Sequence, residues 1–189
     1  MKWLIRIVLV IAVLLVTATV VFLMRRGGAL KSEPGQPSAA EHLYVTWDSM
    51  EYDKCVSAWL IVRFIDANAQ FTFVSQGTEV VKGIPFDIPG AEWSRKNRKC
   101  TSQCILESIK NPDPAISKIV SMAGEVELNF WQLDRWPDAQ KCFYEVKAIT
   151  DAAASPAECF EKTRPYFDQL YRDLKNKPES NTEAEKEKG

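Results

Sequence analysis

Three sets of side chains in this chain have the types and spacing to do chemistry. A cationic run, Arg95, Lys96, Arg98 and Lys99, lies just before Thr101, a residue suited to capping a helix. Free N–H groups at a helix start favour anions. With Lys54 and Arg63, the run is therefore a candidate site for a small oxyanion or an acidic partner surface. The plainer reading is a solvated charged loop. A second set, Glu92, Cys100 and Asp66, offers one thiol and two acids for redox catalysis. Salt bridges from Glu92 and Asp87 to the basic run would explain those two carboxylates equally well. The third set is the five cysteines, Cys55, Cys100, Cys104, Cys142 and Cys159, whose spacings match no zinc pattern, and His42 is the only histidine. No metal and no cofactor is expected. Cys142 and Cys159 fall on adjacent predicted helices and form the candidate disulfide, with buried apolar thiols as the alternative. Cys100 and Cys104 sit four apart on a helix, a poor geometry for a bridge.

Length and charge bound the rest. The 189 residues carry a formal net charge of -1, so no overall field recruits nucleic acid, and none is expected as a partner. Residues 7–24 contain no charge and are just long enough to cross a bilayer as a helix. The run leads directly into Arg25-Arg26 with no small-x-small cleavage pattern, so residues 1–26 read as an uncleaved single-pass anchor. Residues 27–42, rich in Gly, Pro, Ser and Ala, read as a flexible linker. A globular domain over 43–175 and a disordered charged tail over 176–189 complete the organisation. Basic residues flank the apolar run almost evenly, but a long following domain translocates largely regardless of charge. The expectation is a bacterial inner-membrane protein with its domain in the periplasm, the cytoplasmic side being the alternative.

Within the domain, Leu43-Tyr44-Val45-Thr46-Trp47 and Phe71-Thr72-Phe73-Val74 read as strands. Ile84 to Gly90, broken by two prolines, allows an edge strand and a turn. Tyr52 to Asp66 reads as a helix, with Asp53 capping its first turn and apolar residues on most of its circumference. That pattern makes it a buried element, in which Arg63 needs a carboxylate from Asp66, Asp53 or Glu92. Later helices open at Thr101, Asp113-Pro114, Trp136-Pro137 and Ser155-Pro156, with Gly124 as a stop for the second and Pro165 as a kink in the last. The fold class is α+β and helix-dominant, a small sheet covered by several helices. Trp93, Trp131 and Trp136 are candidates for a protein-partner surface.

The run Trp59-Leu60-Ile61-x-Arg63-Phe64-Ile65-Asp66, preceded by Asp53-Lys54, resembles a signature of the chromate-resistance proteins, the ChrB-type C-terminal domain. Ile84-Pro85-Phe86-Asp87, Glu92 and Cys100-Thr101 follow in the family's order, so the resemblance covers about Tyr44 to Tyr171. It implies a link to chromate or oxidative-stress response. Departures are specific. Where the family carries histidine after the acid, this chain has Ser94-Arg95-Lys96-Asn97-Arg98-Lys99. Where it carries a later histidine beside acids, the chain reads Ile119-Val120-Ser121-Met122-Ala123-Gly124-Glu125-Val126-Glu127. Without imidazoles a transition-metal or proton-transfer site loses its usual ligands. The chain is therefore expected to be a non-catalytic, membrane-anchored accessory or sensor module. A thiol and acid redox enzyme and an envelope interaction module are the alternatives.

Overall fold

A computed structural model describes residues 41–177. The apolar run at 7–24, most of the linker and nearly all of the tail lie outside the described residues. Among the described residues, no helix is long and apolar enough to cross a membrane.

Three parallel strands form the sheet in the order β2-β1-β3, with β1 at Leu43–Trp47, β2 at Gln70–Val74 and β3 at Ile84–Pro85. The two strands read from residue type both occur, β2 starting one residue earlier than its alternation indicated. Parallel neighbours need a crossover connection, and the helix after β1 supplies it. Pro85 lacks an N–H and is confined to the edge, while Phe86 N–H donates to Val45 O at 3.0 Å to close the pairing. Gly83 (φ +90°) makes that approach possible. A Cβ there would stand 2.7 Å from the Leu43 carbonyl oxygen, a backbone atom that cannot move aside.

Helix α1, Tyr52–Leu60, is buried at all nine of its residues. It passes into a wider π turn at Ile61–Ile65, in which Asp66 N–H donates to Ile61 O five residues back at 2.8 Å. Such turns swing side chains off the helical register. Here Ile61 and Val62 stay buried while the Arg63 side chain is 45% exposed. The remaining helices are α2 (Thr101–Leu106), α3 (Pro114–Leu128), α4 (Pro137–Asp151) and α5 (Pro156–Asn176). A 3₁₀ segment at Phe130–Arg135 joins α3 to α4.

The helix starts follow their residues. Asp113 accepts from Ile116 N–H at 3.0 Å and Ser155 accepts from Glu158 N–H at 3.2 Å, each ahead of a proline at the first helical position. Gly124, by contrast, does not stop α3, which runs on to Leu128. Its role is close approach, since a Cβ there would meet Gln103 Nε2 at 2.6 Å. Pro165 lies inside α5, which continues past it to Asn176.

Helix α1 packs against each of α2, α3, α4 and α5. Trp59, Leu60, Ile61, Phe86, Ile105, Ile119 and Phe167 are fully buried in the shared core. Burying each such side chain contributes roughly 1.5–3 kcal/mol relative to exposure. The chain therefore builds its core around the one helix that carries the Trp59–Asp66 run.

Candidate functional site

Asp53 does not cap its own helix. The cap position of α1 is Glu51, whose side chain makes no capping bond. Asp53 points across to α2 instead, where Thr101 N–H donates to Oδ2 at 2.8 Å and Ser102 N–H to Oδ1 at 3.2 Å. A six-residue helix has little stability of its own, and its first two amides are satisfied by a residue 48 positions earlier. Cys100 N–H donates to Gln103 Oε1 at 3.0 Å and completes the start of α2.

Lys54 is equally enclosed, with a side chain 2% exposed. Its ammonium donates to Trp47 O at 3.0 Å, to Ser49 O at 2.5 Å and to Ser49 Oγ at 3.2 Å, and lies 3.5 Å from Asp87 Oδ2. Asp87 reaches that position from a left-handed backbone (φ 52°), a costly conformation that short polar residues tolerate best. Thr101 Oγ1 donates to the same carboxylate. Asp53, Lys54, Asp87 and Thr101 therefore lock β1, α1, the turn after β3 and α2 together. The Lys54 ammonium is thus engaged by three oxygens of the fold beside Asp87.

At the rim of this cluster stands Glu127, near the end of α3, paired with Arg95. Burial first, and then the charge of Asp53, push the Glu127 carboxyl up to about 7, against the opposing pull of Arg95. Asp53 is also raised, chiefly by burial. The two carboxyls share that cause, removal from water, and the nearby charge of Asp87 raises each further. Glu127 and Glu51 line a cleft of about 280 Å³ whose other wall includes Phe143, Val146 and Lys147 of α4.

A pH dependence follows. The folded chain keeps a proton on Glu127 that the unfolded chain releases near the ordinary value of 4.5. Stability should therefore fall as pH rises from about 4.5 to about 7, and this contribution should flatten above it. Glu127→Gln should remove that part of the slope. Urea midpoints taken from pH 5 to 8 for both proteins measure it, and parallel curves would sink the assignment.

The basic run is a tight two-residue turn. Lys96 and Lys99 exchange backbone hydrogen bonds at 3.1 and 2.9 Å, and Asn97 (φ 53°) and Arg98 (φ 62°) between them are both left-handed, the pattern of a type I′ hairpin turn. Lys99 pairs with Glu107, Lys96 donates to Glu92 O, and Arg95 pairs with Glu127. Among the described residues, Arg98 has no carboxylate within ion-pair distance. Arg63 belongs elsewhere. Its Nε lies 3.0 Å from Asp168 Oδ1 of α5, so its ion-pair partner is none of the three carboxylates named from sequence.

The three residues of the redox alternative are not brought together. Asp66 accepts from His42 Nδ1 at 2.7 Å and from Asn68 N–H at 3.0 Å beyond the π turn. Cys100 is buried before α2, its thiol pushed up to about 12 mainly by that burial. Glu92 is exposed. Of the candidate disulfide residues, Cys159 Sγ lies 4.0 Å from Cys55 Sγ, and Cys142 is held among Tyr52 and Tyr166. Trp93 stacks on Tyr44 and donates to Ser108 Oγ, whereas Trp131 and Trp136 remain exposed. Among the described residues, no group of three or more His, Cys, Asp or Glu side chains is arranged to hold a metal ion.

Sequence reasoning passed over Glu127 and gave Asp53 the wrong helix. The signal for Glu127 was an acid in the segment where the resembling family carries histidine and acids. A family model described as ChrB, C-terminal domain, matches residues 44–174. No curated protein and no solved structure matches the chain. Asp53, Lys54, Arg63, Asp87, Arg95 and Glu127 all fall inside the matched region, which takes in well over half of the chain, and the chain belongs to the chromate-resistance family of ChrB C-terminal domains.

Proposed function

We propose that this chain is a non-catalytic binding module of the chromate-resistance family that holds a small oxyanion at the Arg95–Lys99 turn. The observation that carries the reading is the pairing at the rim of the cleft. Arg95 is bound to a carboxylate that gains a proton near neutrality, next to an Arg98 that has no acidic partner among the described residues. Protonating Glu127 frees the Arg95 guanidinium, whose planar fork suits a tetrahedral oxyanion. Arg98 supplies the second charge. Lys54 and Arg63 leave the binding set and act as structural cations. In this reading residues 7–24 tether the module to a bacterial inner membrane with the domain in the periplasm, where it serves as an accessory or sensor in chromate or oxidative stress.

Calorimetric titration of the full chain with chromate, and with sulfate as a redox-inert analogue, tests the reading. Binding should be tighter at pH 6 than at pH 8. The Arg95→Ala/Arg98→Ala variant should weaken it at least tenfold, about 1.4 kcal/mol. Cys100→Ser should leave it unchanged. If Cys100→Ser abolishes protection in a chromate-survival assay and the arginine variant does not, the redox alternative holds. If neither oxyanion gives heat, the binding reading fails and a protein partner at exposed Trp131 and Trp136 takes its place.

A further inference from the structure

Cys55 on α1 and Cys159 in the first turn of α5 stand 104 residues apart in sequence, yet their sulfurs are 4.0 Å apart in the core. Their surroundings differ. Cys55 is wholly buried, and Cys159, itself only 2% exposed, borders a cleft of about 310 Å³ whose walls include Asp48, Met50, Thr150 and Ser155. We propose that Cys55 and Cys159 form a peroxide-oxidisable dithiol, a disulfide-forming site that joins α1 to α5, with a small hydroperoxide as its oxidant. This site is independent of the oxyanion reading.

The asymmetry of the pair assigns the roles. Cys159 lies at the start of a 21-residue helix, where the partial positive charge favours a thiolate. The hydrogen bond from Cys55 holds the Cys159 thiol below the ordinary cysteine range, while that bond and burial push the Cys55 thiol up. Cys159 is thus the attacking sulfur and Cys55 the resolving one. In the first step the Cys159 thiolate attacks the terminal peroxide oxygen, the O–O bond breaks, and the expelled alkoxide (hydroxide, for hydrogen peroxide) takes up the proton that the Cys159 thiol gave up, leaving as an alcohol or water. Sulfur is oxidised to a sulfenic acid and the peroxide is reduced. Cys55 then attacks that sulfur, the S–S bond forms, the S–O bond breaks, and the hydroxyl leaves as water with the Cys55 proton. The sum is two thiols and one hydroperoxide giving one disulfide, one alcohol and one water. Closure must draw the sulfurs in to about 2.05 Å.

The other cysteines serve as internal controls. Cys100 lies beside Ser102 Oγ at 3.4 Å, Cys104 donates to Ser94 O at 3.4 Å, and Cys142 sits among tyrosines. The full chain, treated with stoichiometric hydrogen peroxide and digested without reductant, should yield a Cys55–Cys159 cross-linked peptide. Free thiols should fall from five to three and return with dithiothreitol. Cys55→Ser should leave a sulfenic acid on Cys159 that dimedone traps, and Cys159→Ser should give neither product. Cys104→Ser should behave as wild type. Recovery of Cys55 and Cys159 as free thiols from peroxide-treated wild type, or a cross-link between any other pair, overturns the proposal. That readout uses the native chain and so does not depend on whether a variant folds.

Discussion

Lys54→Ala is expected to destabilise the domain by about 3–5 kcal/mol, the magnitude for removing one partner from a buried ion pair. The ammonium is 2% exposed, satisfies two backbone carbonyls and faces Asp87. Without it, Asp87 and Asp53 share a poorly hydrated pocket with no cation of their own. Lys54→Met keeps the length of the side chain and removes the charge, and should recover little, because the two carboxylates still repel. Asp53→Asn should cost less, about 1–2 kcal/mol, since an amide oxygen can still accept from one of the two α2 amides. Urea unfolding of the three variants gives the order directly. A Lys54→Ala protein as stable as wild type would mean that this lysine serves a ligand rather than the fold.

Trp59→Ala should cost a comparable amount, about 3–5 kcal/mol, the range for deleting a large aromatic from a core. Trp59 is fully buried and packs on Phe64, Phe167 and Tyr171 with ring centroids 5.3 to 5.9 Å apart. Its indole N–H donates to Asp168 Oδ1 at 2.9 Å, the oxygen that also forms the ion pair with Arg63. Trp59→Phe retains most of the packing and loses only that hydrogen bond. Its expected cost is about 1 kcal/mol, the net worth of one such bond, with Arg63 still holding Asp168. Thermal and urea melts of both variants measure the split. If Trp59→Phe proved as damaging as Trp59→Ala, the indole N–H rather than the ring would be what the family run preserves.

Much of the scaffold was legible because it rests on local chemistry. The Asp113-Pro114 and Ser155-Pro156 starts declare themselves through a side-chain acceptor followed by a residue that needs no N–H partner. Tyr52 to Ile65 is apolar around most of its circumference, which no surface helix tolerates, and its burial follows. The errors share one cause. Asp53 was assigned to its own helix because sequence spacing shows only near neighbours, and Thr101 is 48 positions away. Gly124 looked like a helix end for the same reason, since the Gln103 side chain that needs its missing Cβ is invisible until α2 and α3 pack. Arg63 acquired Asp168 because the π turn rotates it toward α5, and no periodic pattern records a turn of that kind.

The sequence by itself therefore determined the family, the α+β class, the strands and the Asp-Pro and Ser-Pro helix starts, because each depends on residue types within a few positions of one another. Only the tertiary structure decided which charges are free. Pairing is a matter of a few ångströms in space. The fold spends Lys54 and Arg63 on buried or half-buried carboxylates, ties Arg95 to a Glu127 whose proton leaves near neutrality, and leaves Arg98 in the open. It also matched Cys159 with Cys55 rather than with Cys142. Both outcomes arise because α1 lies at the centre of the core and meets the four other helices of the described residues.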